Sequence, residues 1–345
     1  GAGFPTARKW RAVRAQAGAL KVVVANADEG DAGAFSDRLL MERDPLRLIE
    51  GLCIAAHAVG ATRGIIYLRK EYPQAAEILR AALDAARAAG WLGENFAIEL
   101  AIGHGSYVCG EETALLNSLE HRRPQARLRS PRVFEHGLFG APTLVNNVET
   151  LCAAAWIVEH GGAAYAQLGF SQSRGTKLLS LNSLFRRPGL YEVEFGMPLR
   201  EIVEQLGGGL RRGVLRALMV GGPLAAVLPA SQLDLRLGFE EMAAAGAAVG
   251  HGGVIAFADD SSIAEIAAQI FAFGAAESCG RCVPCHRGTP QLAAMFSAQR
   301  GDAPRFAALV DALAQTSLCG HGQGLAEFAH SLQRYFAQEL QACCV

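Results

Sequence analysis

Hydrophobic and polar positions in the first half of the chain fall into two alternating textures. The stretch LKVVVANADEG is a β-branched run, Val22 to Val24, closed by a polar and acidic turn. It predicts a buried strand that delivers Asn26, Asp28 and Glu29 to its C-terminal edge, the edge at which open α/β sheets bind ligands. DPLRLIEGLCIAAHAVGA then carries apolar residues at helical spacing, with Asp44 as the N-cap and Pro45 at the first helical position. RGIIYLRKEY reads as a second strand, and PQAAEILRAALDAARAAG as a second helix begun by Pro73 and closed by Gly90. Strand and helix in alternation predict an α/β domain with a doubly wound parallel sheet.

From about Gly175 the pattern changes. TKLLSL, GLYEVEF and RALMVGG are shorter candidate strands separated by Gly and Pro, joined by one helical stretch, PLREIVEQLGGG. This predicts a small α+β module. After Asp259–Ser262 the remainder is helical: SSIAEIAAQIFAFGAAESC, TPQLAAMFSAQR, PRFAALVDALAQTSLC and GLAEFAHSLQRYFAQEL predict about four helices forming a bundle. The expected divisions are 1–174, 175–258 and 259–345, and 345 residues at roughly 150 per domain accommodate two or three of them.

Composition narrows the partners. Lys+Arg 32 against Asp+Glu 33 gives a net charge of −1, so no global field favours nucleic acid or an anionic membrane. The most apolar stretches, 151–158 and 217–230, fall short of the roughly 20 residues that span a bilayer, so no direct membrane insertion is expected. The nine cysteines of this long chain do not form a secreted disulfide framework, and the start carries no secretory pattern, which points to a reducing, cytoplasmic compartment. GAGFPTARKW opens on a glycine loop with no strand ahead of it, as expected of a piece of a longer chain.

The motif ESCGRCVPCHRGT places Cys279, Cys282 and Cys285 at C-x2-C-x2-C. Zinc takes its thiolates as two separated C-x2-C pairs, whereas a compact triplet with one remote thiolate suits a [4Fe–4S] cubane. Gly280 and Pro284 fit a loop folded around such a core. Zinc and a thiol redox pair are the competing readings. For the fourth ligand, Cys319 in SLCGHGQG lies at a helix end before a glycine-rich turn, while Cys343 and Cys344 sit where chain ends fray. Cys319 is the better choice. Cys53, Cys109 and Cys152 lie in apolar or glycine-rich surroundings and read as small buried hydrophobes.

Other loops carry weaker signals. Lys9 follows GAGFP within a turn or two, where a helix start offers amides and a cation to a phosphate. Asn26, Asp28, Glu29 and Asp31 gather at a strand end, and Gly110, Glu111 and Glu112 at a helix start, where carboxylates also satisfy the helix dipole. Asn146 and Asn147 in PTLVNNVETL have amides suited to a turn or to a cofactor. The glycines of QLGGGLRRG and MVGGPL lack the context of a dinucleotide fingerprint and read as turns.

Over essentially its whole length the sequence resembles the NADH-oxidising FMN/[4Fe–4S] flavoprotein subunits of respiratory complex I, of soluble NAD-linked formate dehydrogenases and of NAD-reducing hydrogenases. The resemblance is carried by GAGFPTARKW, NADEGDAGAFSDRLLMERDP, YVCGEETALLNSLE, GLFGAPTLVNNVETL, SRGTKLLSL, GHGGVIAF and ESCGRCVPCHRGT. DEGDAG, in place of DExEPG, leans toward the formate dehydrogenase and hydrogenase members. The resemblance implies a Rossmann-like FMN and NAD(H) domain, a β-grasp module of the soluble-ligand-binding type and a four-helix [4Fe–4S] domain. It implies that Gly1, Gly3, Lys9, Asn26, Asp28, Glu29, Tyr107, Gly110, Glu111, Glu112, Val145, Asn146 and Asn147 surround the flavin. Phe4, Asp31 and Glu112 would meet NADH, with Phe4, Glu29 and Glu112 near the hydride-transfer site, and Cys279, Cys282, Cys285 and Cys319 would hold the cluster. The family's loop begins earlier, as G-x-G-G-A-G-F-P, so part of its phosphate cradle precedes residue 1. RSPRVFEHG lacks the usual aromatic in register, and the linker from Cys285 to Cys319 is short for the family.

The activity so implied is hydride transfer between NAD(H) and FMN, followed by single-electron transfer to or from the cluster, with no protein nucleophile. The implied partners are a small [2Fe–2S] thioredoxin-like subunit and a larger iron–sulfur, molybdenum or hydrogenase subunit. A formate dehydrogenase is the favoured setting, with hydrogenase or complex I as alternatives. The rival of another class is a non-catalytic iron–sulfur electron-transfer module that binds no nucleotide.

Overall fold

The computed structural model describes residues 3–18, 20–128, 130–297 and 302–344, with 342–344 described by backbone alone. The chain divides into two compact units, one formed by Phe4–Gly30 with Phe35–Tyr165, the other by 166–345 together with Gly3 and Asp31–Ala34.

The first unit contains α1 (Thr6–Arg14), β1 (Val22–Ala27), α2 (Ser36–Arg43), α3 (Pro45–Val59), β2 (Arg63–Leu68), α4 (Pro73–Ala88), β3 (Ala97–Ile102), α5 (Glu112–Leu119), β4 (Thr143–Asn147) and α6 (Val148–His160). Its strands form one sheet in the order β3-β2-β1-β4, and every pair is parallel. Alternation along β1 explains why both faces are covered. Val23, Ala25 and Ala27 enter one apolar cluster with residues of α3, α4 and α6, while Val22 and Val24 enter another with Cys109, Leu115 and Leu116. The expected caps are present. Asp44 accepts from Arg47 N at the start of α3, Pro45 occupies the first helical position, and Gly60 closes the helix at φ 77°.

Helices α3 and α6 approach closely where Gly51 faces Leu151. A Cβ at Gly51 would stand 2.2 Å from the Leu151 carbonyl oxygen, so only glycine permits this distance.

The second unit begins with α7 (Gly162–Gln167), which straddles the boundary, and the short antiparallel pair β5 (Gly169–Phe170) and β6 (Ser173–Arg174). Its main sheet has five strands in the order β10-β9-β11-β7-β8: β7 (Thr176–Leu181), β8 (Gly189–Glu194), β9 (Leu215–Val220), β10 (Val227–Pro229) and β11 (Gly253–Ala258). The β7–β11 pair is parallel and the others antiparallel. Two of these strands, β10 and β11, are additions to the three read from the sequence. The run PLREIVEQLGGG is only briefly α-helical, as α8 (Leu199–Glu201), before it widens to a π-type turn over Ile202–Leu206. Gly207 N bonds Ile202 O at 2.9 Å, and a Cβ at Gly207 would meet the Phe185 ring at 2.4 Å. After α9 (Phe239–Ala244) and β11 come α10 (Ile263–Ala276), α11 (Val283–Ser297), α12 (Ala303–Thr316), α13 (Gly320–Tyr335) and α14 (Ala337–Cys344). Five helices thus stand where four were expected, because Phe336 breaks the last one. Phe271 is central to them, with the rings of Phe296, Phe328 and Phe306 at 5.2, 5.4 and 6.3 Å. No described helix is long and apolar enough to cross a membrane.

Gly51→Ala is expected to destabilise the first unit by about 1–3 kcal/mol, because backbone must shift to admit the methyl group. Urea unfolding measures this, and an unchanged midpoint would remove the argument for close α3–α6 approach.

Candidate functional site

The C-terminal ends of β1 and β4 form the first candidate site. Connections from β1 lead through β2 to β3 on one side, and β4 lies on the other, so the strand order switches between β1 and β4. Asn26 and Asn147 are register partners there, as are Ala25 and Asn146. Each amide is oriented by neighbours. Asn26 Nδ2 donates to Gly110 O at 2.8 Å and its Oδ1 accepts from Asp28 N at 3.3 Å. Asn146 Oδ1 accepts from Trp10 Nε1 at 2.8 Å. Asn147 caps α6 by accepting from Glu149 N at 2.9 Å and donates to Asp37 Oδ2 at 2.6 Å.

Lys9 reaches the same edge. Its ammonium donates to Glu112 Oε2 and to Val145 O, both at 3.1 Å, and stands 6.0 Å from the centroid of the exposed Phe4 ring. Helix α1, which carries Lys9, has no side-chain cap and no acid in its first turn, so its N-terminal end keeps a positive character.

The acids are employed differently from one another. Glu29 is 1% exposed and accepts from Ser36 Oγ at 3.2 Å, Asp37 N at 3.0 Å, Arg38 N at 3.1 Å and Tyr72 Oη at 3.1 Å; Arg69 also donates to its backbone carbonyl. Its carboxylate is thus a fixed anchor for the start of α2. Glu111 is the N-cap of α5, accepting from Thr113 N and Ala114 N at 3.0 and 2.8 Å. Burial pushes its carboxyl above the usual carboxylate range, against the lowering effect of the bonds from Thr113 and Ala114. Tyr107 packs against Gly30, where a Cβ would stand 2.8 Å from the ring, and a Cβ at Gly110 would stand 3.2 Å from Asp28 O.

Two sequence-derived candidates fall in the other unit. Asp31 Oδ2 lies 2.6 Å from His251 Nδ1, and Gly3, at φ 67°, would place a Cβ 2.9 Å from the Phe239 ring. Gly1 lies outside the described residues. Sequence reasoning missed Trp10, Asp37, Tyr72 and His251, whose roles come from tertiary contacts. The one available signal was Trp10, adjacent to Lys9 in the same motif.

The second candidate site is a thiol cluster. Cys279 and Cys282 lie between α10 and α11, Cys285 in the first turn of α11, and Cys319 is the N-cap of α13. The expected loop at Pro284 is therefore helix from Val283 onward, since proline in a first turn gives up no needed N–H. The expected glycine turn after Cys319 is likewise the opening of α13. Burial pushes the Cys285 thiol up to about 12, the Ser278 hydrogen bond opposes this, and the neighbouring Cys282, Cys319 and Cys279 reinforce it. The other three thiols are thus neighbours of Cys285. Ser278 Oγ is 3.3 Å from Cys285 Sγ, and no disulfide forms among the described cysteines. Gly322 lets the chain pass close beside them, for a Cβ there would stand 2.2 Å from Ser317 Oγ and 3.5 Å from Cys285 Cβ.

The donor set fits an iron–sulfur core. Grouped thiolates repel and need adjacent cations to ionise. Four thiols, three from one motif and one from the start of a separate helix, match in kind and number the ligands of a cubane; among the described residues no group of three His, Cys, Asp or Glu side chains is placed to hold a metal ion.

Known proteins resemble the chain over the regions that contain both candidate sites. The profile described as "Nuo51 FMN-binding domain" matches residues 1–156, and that of the "NADH-ubiquinone oxidoreductase-F iron-sulfur binding region" matches residues 265–343. The NADH-quinone oxidoreductase F-subunit 2 of Rhizobium meliloti is 39% identical over 356 residues, spanning 99% of this chain and 85% of that protein. The chain belongs to the family of NADH-oxidising FMN/[4Fe–4S] flavoprotein subunits. Within this family it is also 37% identical to the NADP-reducing hydrogenase subunit HndC of Solidesulfovibrio fructosivorans, over 99% of this chain and 72% of that one. A crystal structure of NAD+-reducing [NiFe]-hydrogenase in the H2-reduced state superimposes with a TM-score of 0.93 at 38% identity. That match covers all of this chain and 60% of the hydrogenase chain. The flavoprotein family is one of flavin and iron–sulfur oxidoreductases that use FMN, [4Fe–4S] and NADH.

Glu111→Gln keeps an acceptor for the α5 cap but removes an ionisable group. Because the folded carboxyl is raised above its ordinary 4.5, its stabilising share is fully present below that value and is lost as pH rises through the folded one. The stability of the unaltered protein relative to the Gln variant is expected to fall over that window in urea titrations. A difference that rises with pH would contradict the assignment.

Proposed function

We propose that the chain is a diaphorase-type subunit of a larger NAD-linked complex, exchanging hydride between NAD(H) and FMN and single electrons with one [4Fe–4S] cluster. The observation that carries the reading is that Cys279, Cys282 and Cys319 are neighbours of the buried Cys285, three cysteines coming from one motif and one from the start of a separate helix. The proposed arrangement is a Rossmann-like FMN and NAD(H) domain over 1–174, a β-grasp module over 175–258 and a helical cluster domain over 259–345. One apolar cluster centred on the strands and another centred on the later helices, which Ala217, Met219 and Val227 of the sheet also join, support this division of the second unit.

FMN, when bound, supplies the exchange between two-electron hydride chemistry and one-electron transfer. The protein's part is placement. Asn26, Asn146 and Asn147, with Asp28, Tyr107, Gly110 and Val145, would line the flavin at the switch between β1 and β4. Lys9 and the first turn of α1 would take its phosphate, with Gly1 and Gly3. Phe4 would stack beside the nicotinamide with Glu112 nearby. Glu29 and Glu111, whose carboxylates serve α2 and α5, would border the site by holding its walls. Asp31 is assigned to NAD(H) through the family motif alone.

For the remainder of the complex we propose a small [2Fe–2S] thioredoxin-like subunit and a larger iron–sulfur subunit, in the cytoplasm. DEGDAG is the argument for a formate dehydrogenase. The likeness to hydrogenase chains favours an NAD-reducing hydrogenase as the second reading. NAD reduction driven by formate or by hydrogen, in a preparation with native partners, separates these two.

FMN-loaded protein is expected to oxidise NADH with ferricyanide as acceptor. Absence of both flavin binding and NADH oxidation would reduce the chain to an electron-transfer module. Cys319→Ser is expected to abolish the full [4Fe–4S] EPR signal; a native signal would show that another residue completes the cluster.

A further inference from the structure

Ser278 and Ser317 are two hydroxyls at the thiol cluster that ligation itself does not employ. Ser278 Oγ lies 3.3 Å from Cys285 Sγ. In a free thiol either atom donates this bond, but a sulfur bound to iron has lost its proton and only accepts, so Ser278 becomes the donor. Ser317 ends α12, is 7% exposed, and its Oγ has no hydrogen-bond partner among the described residues. A buried hydroxyl in that state is costly unless something at the site accepts from it. It packs against Gly322, filling the position that a Cβ there would need, and that same position lies 3.5 Å from Cys285 Cβ. The neighbouring hydroxyl of Thr289 is committed elsewhere, donating to Cys285 O at 2.8 Å.

We propose that Ser278 and Ser317 are positioning residues that donate hydrogen bonds to cluster sulfurs, Ser278 to Cys285 Sγ and Ser317 to a sulfur on the Cys285 side of Gly322, and so set the cluster's reduction potential. A donor withdraws electron density from sulfur and favours the reduced, more negative core, so each bond raises the potential. The bonds lie beside the nearly buried Cys285, where low local dielectric strengthens them. The inference rests on the cluster reading and adds which residues poise that cluster for electrons.

EPR-monitored redox titration of the cluster-loaded chain tests it. Ser278→Ala and Ser317→Ala are each expected to keep native iron and acid-labile sulfide content while the midpoint moves to more negative potential. The double variant moves further, and Ser→Thr at either position restores the native value. A tenfold change in the oxidised-to-reduced ratio corresponds to about 59 mV for one electron. Alanine variants that hold a full cluster at the native midpoint overturn the proposal. If alanine costs the cluster, resonance Raman of the unaltered protein decides instead. Its Fe–S(Cys) stretching bands are expected to shift in deuterated water, and bands that stay in place overturn the proposal. A native chain without iron and sulfide would instead overturn the cluster reading of the preceding section.

Discussion

The Glu29 carboxylate, sealed from solvent and met by donors from Ser36, Asp37, Arg38 and Tyr72, fixes the geometry of the first unit's ligand edge. A buried carboxylate is tolerable only with such a set of donors, and each one lost costs roughly 1–3 kcal/mol or more. The bonds tie the end of β1 to the start of α2 and to the residue before α4. With Glu29 held, Gly30 can meet the Tyr107 ring, and Gly110 can accept from Asn26 while packing on the Asp28 backbone. The wall of the sheet edge is therefore built outward from one buried acid. Its placement explains why an acid occupies a position where a ligand contact alone would tolerate an amide.

The second unit presents a different arrangement, a buried thiol among neighbouring thiols. Cys285 is driven toward its neutral form by burial and by three neighbouring cysteines, with Ser278 as the one opposing hydrogen bond. Around it the helices pack on aromatic rings, Phe271 against Phe296, Phe306 and Phe328. Interlocked rings resist displacement, which suits a centre whose charge changes while its ligands must stay in place.

Much of this was legible in the sequence because the signals were local. The β-branched run ending at Asn26, the Asp44–Pro45 helix start and the cysteine spacing each depend on a few adjacent residues, and each appears where it was read. Strand β11 was harder: GHGGVIAF begins with glycines at positive φ, Gly250 and Gly252, and its strand character comes from pairing with β7 and β9. The helical state of Pro284 and of Gly320–Gly324 was hidden for the converse reason, since proline and glycine suggest loops unless a helix start uses them. Within the sites, residue types were legible but their partners were not. Nothing in DEGDAG indicates that Glu29 turns inward onto α2 while Asp31 turns to a histidine 220 positions away.

These two electrostatic arrangements predict different relations between folding and cofactor. At the sheet edge, Asn26, Asn146 and Asn147 are already oriented by protein partners, so a ligand meets a prepared surface and little ordering remains to oppose binding. At the thiol site, the proposed ligation would couple proton loss to iron capture, because grouped thiolates need an adjacent cation. Cluster binding would then contribute directly to the stability of the helices that carry Cys285 and Cys319, on α11 and at the cap of α13.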